Sequence, residues 1–223
     1  MSSSDRSYHH GNLRAELIAA ALDMLDTQSA AGLSLRKVAQ QAGVSHNAPY
    51  HHFADRTTML EAVGVEAMSR FVAVQREAAE HAANPRDALL DMGVAYVGWA
   101  SAHPGAFAVI FDPEICSPGD PSEQMGPLIR ENELLLHAVA RAAAADAADA
   151  DPAAVPTDPG DPGAGLEIGA GGDDAPTAES PMAPLEVALW GMVHGLAVLH
   201  IAGHFPEEAV RPALEASLAG LGI

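Results

Sequence analysis

The segment from Leu33 to Leu60, LSLRKVAQQAGVSHNAPYHHFADRTTML, constrains this chain more than any other. Two short runs with apolar faces flank an Ala-Gly-Val turn, which is the pattern of a helix-turn-helix. Ser34 can cap the first run, because its hydroxyl accepts a hydrogen bond from an orphan amide of the first turn. Leu35, Val38, Ala39 and Ala42 share one face at helical spacing. Gly43 stands where the chain must turn left-handed, a conformation glycine adopts without steric cost. Val44 can fill the space between the two helices, and Ser45 is a second cap. His46, Asn47 and Ala48 then open the recognition helix, whose N-terminal end meets base edges in the major groove. Pro49 removes one backbone hydrogen bond there and crowds the carbonyl of Ser45, so a distorted or 3-10-like first turn is predicted.

The longer run from Tyr8 to Leu60 resembles the DNA-binding domain of the TetR family of transcriptional repressors. The opening YHHGNLRAELIAAALDML is similar to that family's first helix, and AGVS followed by YHHF and ADR is similar to its turn and recognition helix. This likeness covers about a quarter of the chain. It implies that Ser34, Tyr50, His52 and Arg56 position phosphates and that His46, Asn47 and Ala48 read bases. Ser45 and His51 fall on the same surface, His51 serving contact or packing.

A net charge of −19 sits oddly with DNA, but its distribution accounts for much of this. Up to residue 60 the basic Arg6, Arg14, Arg36, Lys37 and Arg56 are matched by Asp5, Glu16, Asp23, Asp26 and Asp55, among five histidines. The excess acid therefore lies beyond residue 60, and such a body disfavours DNA everywhere except at the neutral tip. The single Cys116 permits no internal disulfide, which fits a reducing cytoplasm. MSSSDRSYHH has no apolar core and is not a signal peptide. Val187 to Ala202 reads as too short to span a membrane and carries His194 and His200. A cytoplasmic protein with no membrane partner is expected.

The rest of the chain reads as helix throughout, about nine helices in an all-α fold. A first helix is expected over 13–27, and a long connector over 56–83. Further helices are expected over 85–102, 104–111, 122–145 and 184–203, with a last one opening at Pro206. Residues 142–184 hold nine acidic and no basic side chains among Ala, Gly and Pro. They read as a disordered acidic insertion, with an acidic interaction tail as the alternative. The expected organisation is a helix-turn-helix domain over 1–56 and an effector-binding and dimerisation domain over 57–223.

Trp190, His194 and Gly195 resemble the tryptophan-histidine-glycine motif of one C-terminal domain class in the same family. That likeness implies a homodimer formed by the last two helices. Gly191 and Gly195, four residues apart, and Leu214, Leu218 and Leu221 would form the interface. Phe71, Met92, Tyr96, Trp99, Phe107, Phe111, Met125 and Trp190 admit two readings, a plain core or an apolar pocket. The resemblance implies a pocket for a small-molecule effector, with Tyr96, Trp99 and His194 supplying polar contacts. His200 and His204 share a helix face, but no carboxylate or cysteine completes a ligand set, so neither a metal nor a cofactor is expected. Nucleophile elbows, phosphate-binding glycine loops and zinc-protease motifs are absent, so no catalytic residue is assigned and no enzyme is expected. The expectation is a ligand-responsive repressor that binds palindromic double-stranded operator DNA as a dimer. The alternative is a dimeric small-molecule-binding protein with a weak or vestigial head.

Overall fold

The computed structural model describes residues 13–117, 121–150 and 182–223. Among them are eight α-helices and no strand, in agreement with the all-α expectation. They are α1 (Leu13–Leu25), α2 (Leu35–Gln41), α3 (Arg56–His81), α4 (Pro85–Ala102), α5 (Pro104–Ile110), α6 (Met125–Ala150), α7 (Pro184–Ile201) and α8 (Val210–Gly220). Short 3-10 turns cover Ala30–Gly32, Ala48–His51 and Glu207–Ala209.

The chain divides into two compact units. The first joins Met1–Ala67 to His103–Met125, and the second joins Met68–Ala102 to Gly126–Ile223. This differs from a division after residue 56, because the first part of α3 and all of α5 belong with the helix-turn-helix. Glycine at 105 is what admits α5 here. A Cβ on Gly105 would run into the carbonyl oxygen of Leu25 at the end of α1. The His103 ring also meets Asp26 Oδ1 at 3.0 Å.

In the first unit, α1 buries Leu17, Ile18, Ala21, Leu22 and Leu25, the stripe its periodicity predicts. Leu35, Val38 and Ala39 bury the matching face of α2, and Phe53, Met59 and Val63 complete the core. Full burial of a side chain such as Phe53 or Met59 contributes about 1.5–3 kcal/mol. Ser34 caps α2, accepting from the Lys37 amide at 3.3 Å. At the other end Gly43 has φ 69°, the Val44 amide donates to Ala39 and the Gly43 amide donates to Gln40. That pair of bonds is a Schellman closure and fixes the turn before the recognition segment. Asp55 caps α3: its Oδ1 accepts from the Thr58 amide and hydroxyl, which holds the carboxyl below its usual range.

In the second unit, Asn84 caps α4 by accepting from the Asp87 amide at 2.8 Å, and Pro85 opens the helix as its sequence implies. α8 lays Leu214 against Gly93 of α4, where an added Cβ would lie 2.9 Å from Leu214 Cδ1. Arg211 of α8 pairs with Asp91 of α4. α7 is tied to α6 by a 2.5 Å contact between His137 Nδ1 and Glu186 Oε1, while Glu186 Oε2 accepts from the Ala183 amide. α6 continues to Ala150, so residues 142–150 are helical rather than the start of an insertion. The run RAAAADAADA explains it, since alanine has the highest helix propensity. The remainder of the expected insertion, 151–181, lies outside the described residues.

Candidate nucleic-acid interface and ligand cavity

The recognition segment is not an α-helix. Ala48–His51 form a four-residue 3-10 turn with Pro49 inside it. Pro49 has no amide to donate and its ring excludes the regular i−4 bond, so the chain tightens to i−3 bonds at Tyr50 and His52. Ser45 does not cap this turn through its side chain; the residue at the cap position is Asn47, also without a side-chain bond. Pro49 and Phe53 face inward, and Ser45, His46, Asn47, Tyr50, His51 and His52 are exposed, with Ala48 half-buried. Tyr50 is 58% exposed. Ser34 is half-buried at the head of α2, close in sequence to Arg36, which is exposed and makes no hydrogen bond or ion pair among the described residues.

Arg56 has another occupation than a phosphate clamp. Its Nε donates to the carbonyl of Leu33 at 3.0 Å, and its terminal nitrogen donates to that of Ala30 at 2.6 Å. Lys37 similarly donates to the carbonyl of Gly32 at 2.8 Å. Two cations thus hold the loop between α1 and α2, and Arg56 fastens that loop to the start of α3. The sequence-based role fails to foresee this because the carbonyls belong to residues 23 and 26 positions away.

The second unit contains a cavity of about 40 Å³. Of the residues expected at a ligand, Met92, Tyr96 and Trp190 line it. His194 stands behind Tyr96, its Nδ1 hydrogen-bonded to the Tyr96 hydroxyl at 2.8 Å. Burial keeps the imidazole below its usual pKa and so favours the neutral ring; burial also raises the Tyr96 phenol. Phe71 and Trp99 pack as core, their rings 5.1 Å apart and Phe71 also 4.7 Å from Tyr96. Phe107, Phe111 and Met125 belong to the first unit and line no part of this cavity. The first two meet edge to face, their centroids 4.9 Å apart.

Among the lining residues that went unforeseen are two side-chain amides, Gln75 of α3 and Asn132 of α6. Gln75 is only 4% exposed and donates from Nε2 both to the Phe71 carbonyl (3.1 Å) and to Asn132 Oδ1 (3.2 Å). A signal for it existed: Phe71, Gln75 and Ala79 fall at i, i+4 and i+8, so an amide interrupts a buried stripe.

α7 presents an apolar face that is exposed among the described residues. Val187 is 50% and Val198 48% exposed, with Leu199 and Ile201 beside them. An added Cβ at Gly191 or Gly195 would meet nothing within 4 Å. By length and composition alone α7 is long and apolar enough to cross a membrane, so the length argument against that segment does not stand. Leu214 and Leu218 correct the expected interface: both are buried within the unit, against α4 and the cavity, and only Leu221 of the three is exposed. Gly93 makes the room that seats Leu214, a feature that the period of α8 alone does not reveal.

A helix-turn-helix head joined to a second helical unit with its own cavity defines a class, the two-part DNA-binding regulators. The family model described as "Bacterial regulatory proteins, tetR family" matches residues 17–63, and that described as "Tetracyclin repressor-like, C-terminal domain" matches residues 89–221. The chain belongs to the TetR family of transcriptional regulators. It is similar to a protein of unknown function from Rhodococcus sp. RHA1, at 26% identity and TM-score 0.66 over 98% of this chain and 97% of that one. It shares its fold with a putative transcriptional regulator from Pseudomonas aeruginosa PAO1, at 20% identity and TM-score 0.61, covering 94% of this chain and 89% of the other. The TetR family regulator PfmR of Thermus thermophilus is a third, at 18% identity and TM-score 0.59, covering 89% of this chain and 94% of that one. A search of curated proteins finds no match.

Proposed function

We propose that this regulator is a cytoplasmic repressor that binds palindromic operator DNA as a homodimer and is released by a small apolar effector. The observation that carries it is the outward row at the 3-10 turn: His46, Asn47, Tyr50, His51 and His52 are all exposed while Pro49 and Phe53 anchor the segment inward. Asn47 reads a base edge, since its amide donates and accepts in one plane. The open α7 face supports the dimer, Gly191 and Gly195 letting two backbones approach. The cavity supports the effector, and α3 contributes residues to both units, so it is the element through which occupancy would change the spacing of the heads. The test is a mobility-shift assay on the DNA beside its own gene, with wild type and Asn47→Ala. Base reading by Asn47 is expected to cost about 1–3 kcal/mol on that DNA and nothing on random duplex. Equal losses on both would refute the assignment.

A second reading is favoured by the short recognition segment and by the commitment of Arg56 to the loop. Under it the head binds DNA weakly and the second unit, as a dimeric small-molecule binder, carries the activity. Shifts no stronger on the neighbouring DNA than on random duplex would decide for it.

A further inference from the structure

The two amides at the cavity fix each other's orientation. The carbonyl of Phe71 can only accept, so the Gln75 atom 3.1 Å from it must be the nitrogen. The second hydrogen on that nitrogen goes to Asn132, so the atom it meets must be the oxygen. Both donors of Gln75 are then used. Its Oε1 and the Asn132 Nδ2 have no hydrogen-bond partner among the described residues. Neither atom is sealed in, because no fully buried side-chain nitrogen or oxygen in the described structure lacks a partner. For Gln75, which is 4% exposed, the open space is the cavity it lines.

We infer that the ligand of this cavity is a small uncharged molecule with an apolar body and an amide-like end, a hydrogen-bond donor for Gln75 Oε1 beside an acceptor for Asn132 Nδ2. This rests on the reading of the cavity as the effector site. Leu89, Met92, Leu189 and Leu214 make most of the remaining wall apolar, Tyr96 and Trp190 adding a hydroxyl and an indole N–H, and no charged side chain among the described residues lines the space. A carboxylate or ammonium would lose its water with no counter-ion to replace it, and Gln75 Oε1 would repel the former. A pure hydrocarbon would strip water from both amide atoms and leave them unpaired. The volume of about 40 Å³ admits about three waters, so the polar end and a few carbons occupy it.

The experiment titrates the full chain with butyramide, butyrate and 1-chlorobutane, reading the side-chain amide resonances of Gln75 and Asn132 by NMR. Butyramide is expected to shift both and to bind at least about tenfold more tightly than the other two probes. Gln75→Met and Asn132→Leu should each abolish that preference, weakening butyramide binding and strengthening that of 1-chlorobutane, because the amide that an apolar ligand would leave unpaired is gone. If wild type binds 1-chlorobutane or butyrate as tightly as butyramide, the amide-like end is overturned and the effector cavity stands. If none of the three moves any resonance of the cavity walls at millimolar concentration, the effector reading falls and this inference with it. The wild-type comparison decides even where a variant does not fold.

Discussion

Replacing Arg56 with alanine distinguishes a structural tie from a DNA contact. The guanidinium makes two charge-assisted bonds, to the carbonyls of Leu33 and Ala30. Such bonds are worth about 1.5–3 kcal/mol each when desolvated. The bond to Ala30 is exposed and counts for little; the bond to Leu33 is part-buried and keeps most of its value. The expected loss is about 2 kcal/mol, or about 4–8 °C in melting temperature for a chain of this size. DNA binding should weaken because α2 and the start of α3 lose their fixed relation. Its salt dependence should not change. A phosphate contact predicts the reverse: stability intact, and a log–log salt slope smaller by about 0.9. Arg56→Lys sharpens the contrast. A single ammonium keeps the charge but lacks the fork that reaches two carbonyls, so it should melt near the alanine variant. Thermal unfolding by circular dichroism and a salt series on one duplex give both quantities. An Arg56→Ala protein that melts with wild type and loses one unit of salt slope would refute the tie.

Gly105→Ala should destabilise the first unit by about 1–3 kcal/mol or more, because its Cβ cannot share space with the Leu25 carbonyl oxygen and α5 must move; denaturant unfolding measures it. Gly195→Leu meets no obstacle within its own chain and should raise intrinsic helix stability by about 0.5–1 kcal/mol, yet abolish the dimer in sedimentation; a variant that stays dimeric would place the interface elsewhere. His194 has a lowered folded pKa, so the unfolded chain binds the extra proton: stability should be full above about pH 6.5 and fall as pH drops below it, and His194→Asn should flatten that fall in melting experiments. Cys116, its thiol pushed up to about 11 by burial and by Asp112 and Glu61, should react with iodoacetamide at pH 8 about a hundredfold more slowly than an ordinary cysteine.

Local features of this protein were readable from its residues alone. Ser34, Gly43, Asn84 and Pro85 act within one turn of themselves, so capping and glycine chemistry place α2 and α4 without knowledge of the fold. Pro49 likewise forecasts its own 3-10 turn, since the missing amide and the ring clash are properties of that residue. The family likeness at Tyr8 to Leu60 and at Trp190, His194 and Gly195 rests on the same short-range spacing. What the tertiary structure decided are the partners distant in sequence. Phe71, Phe107 and Met125 look alike as apolar residues, yet Phe107, on the α5 that meets α1 at Gly105, and Met125, whose methyl lies beside Gly64 of α3, belong to a different unit from Phe71. Leu214 faces inward because Gly93, more than a hundred residues away, leaves a hollow for it, and Leu218 is buried at the same cavity. Arg56 donates to two carbonyls of a loop that folds back beside it, and Gln75 acquires its role from Asn132, 57 residues on. Helical periodicity says which side of a helix is apolar; which surface that side meets is set by the steric fit and hydrogen-bond needs of residues that only folding brings together.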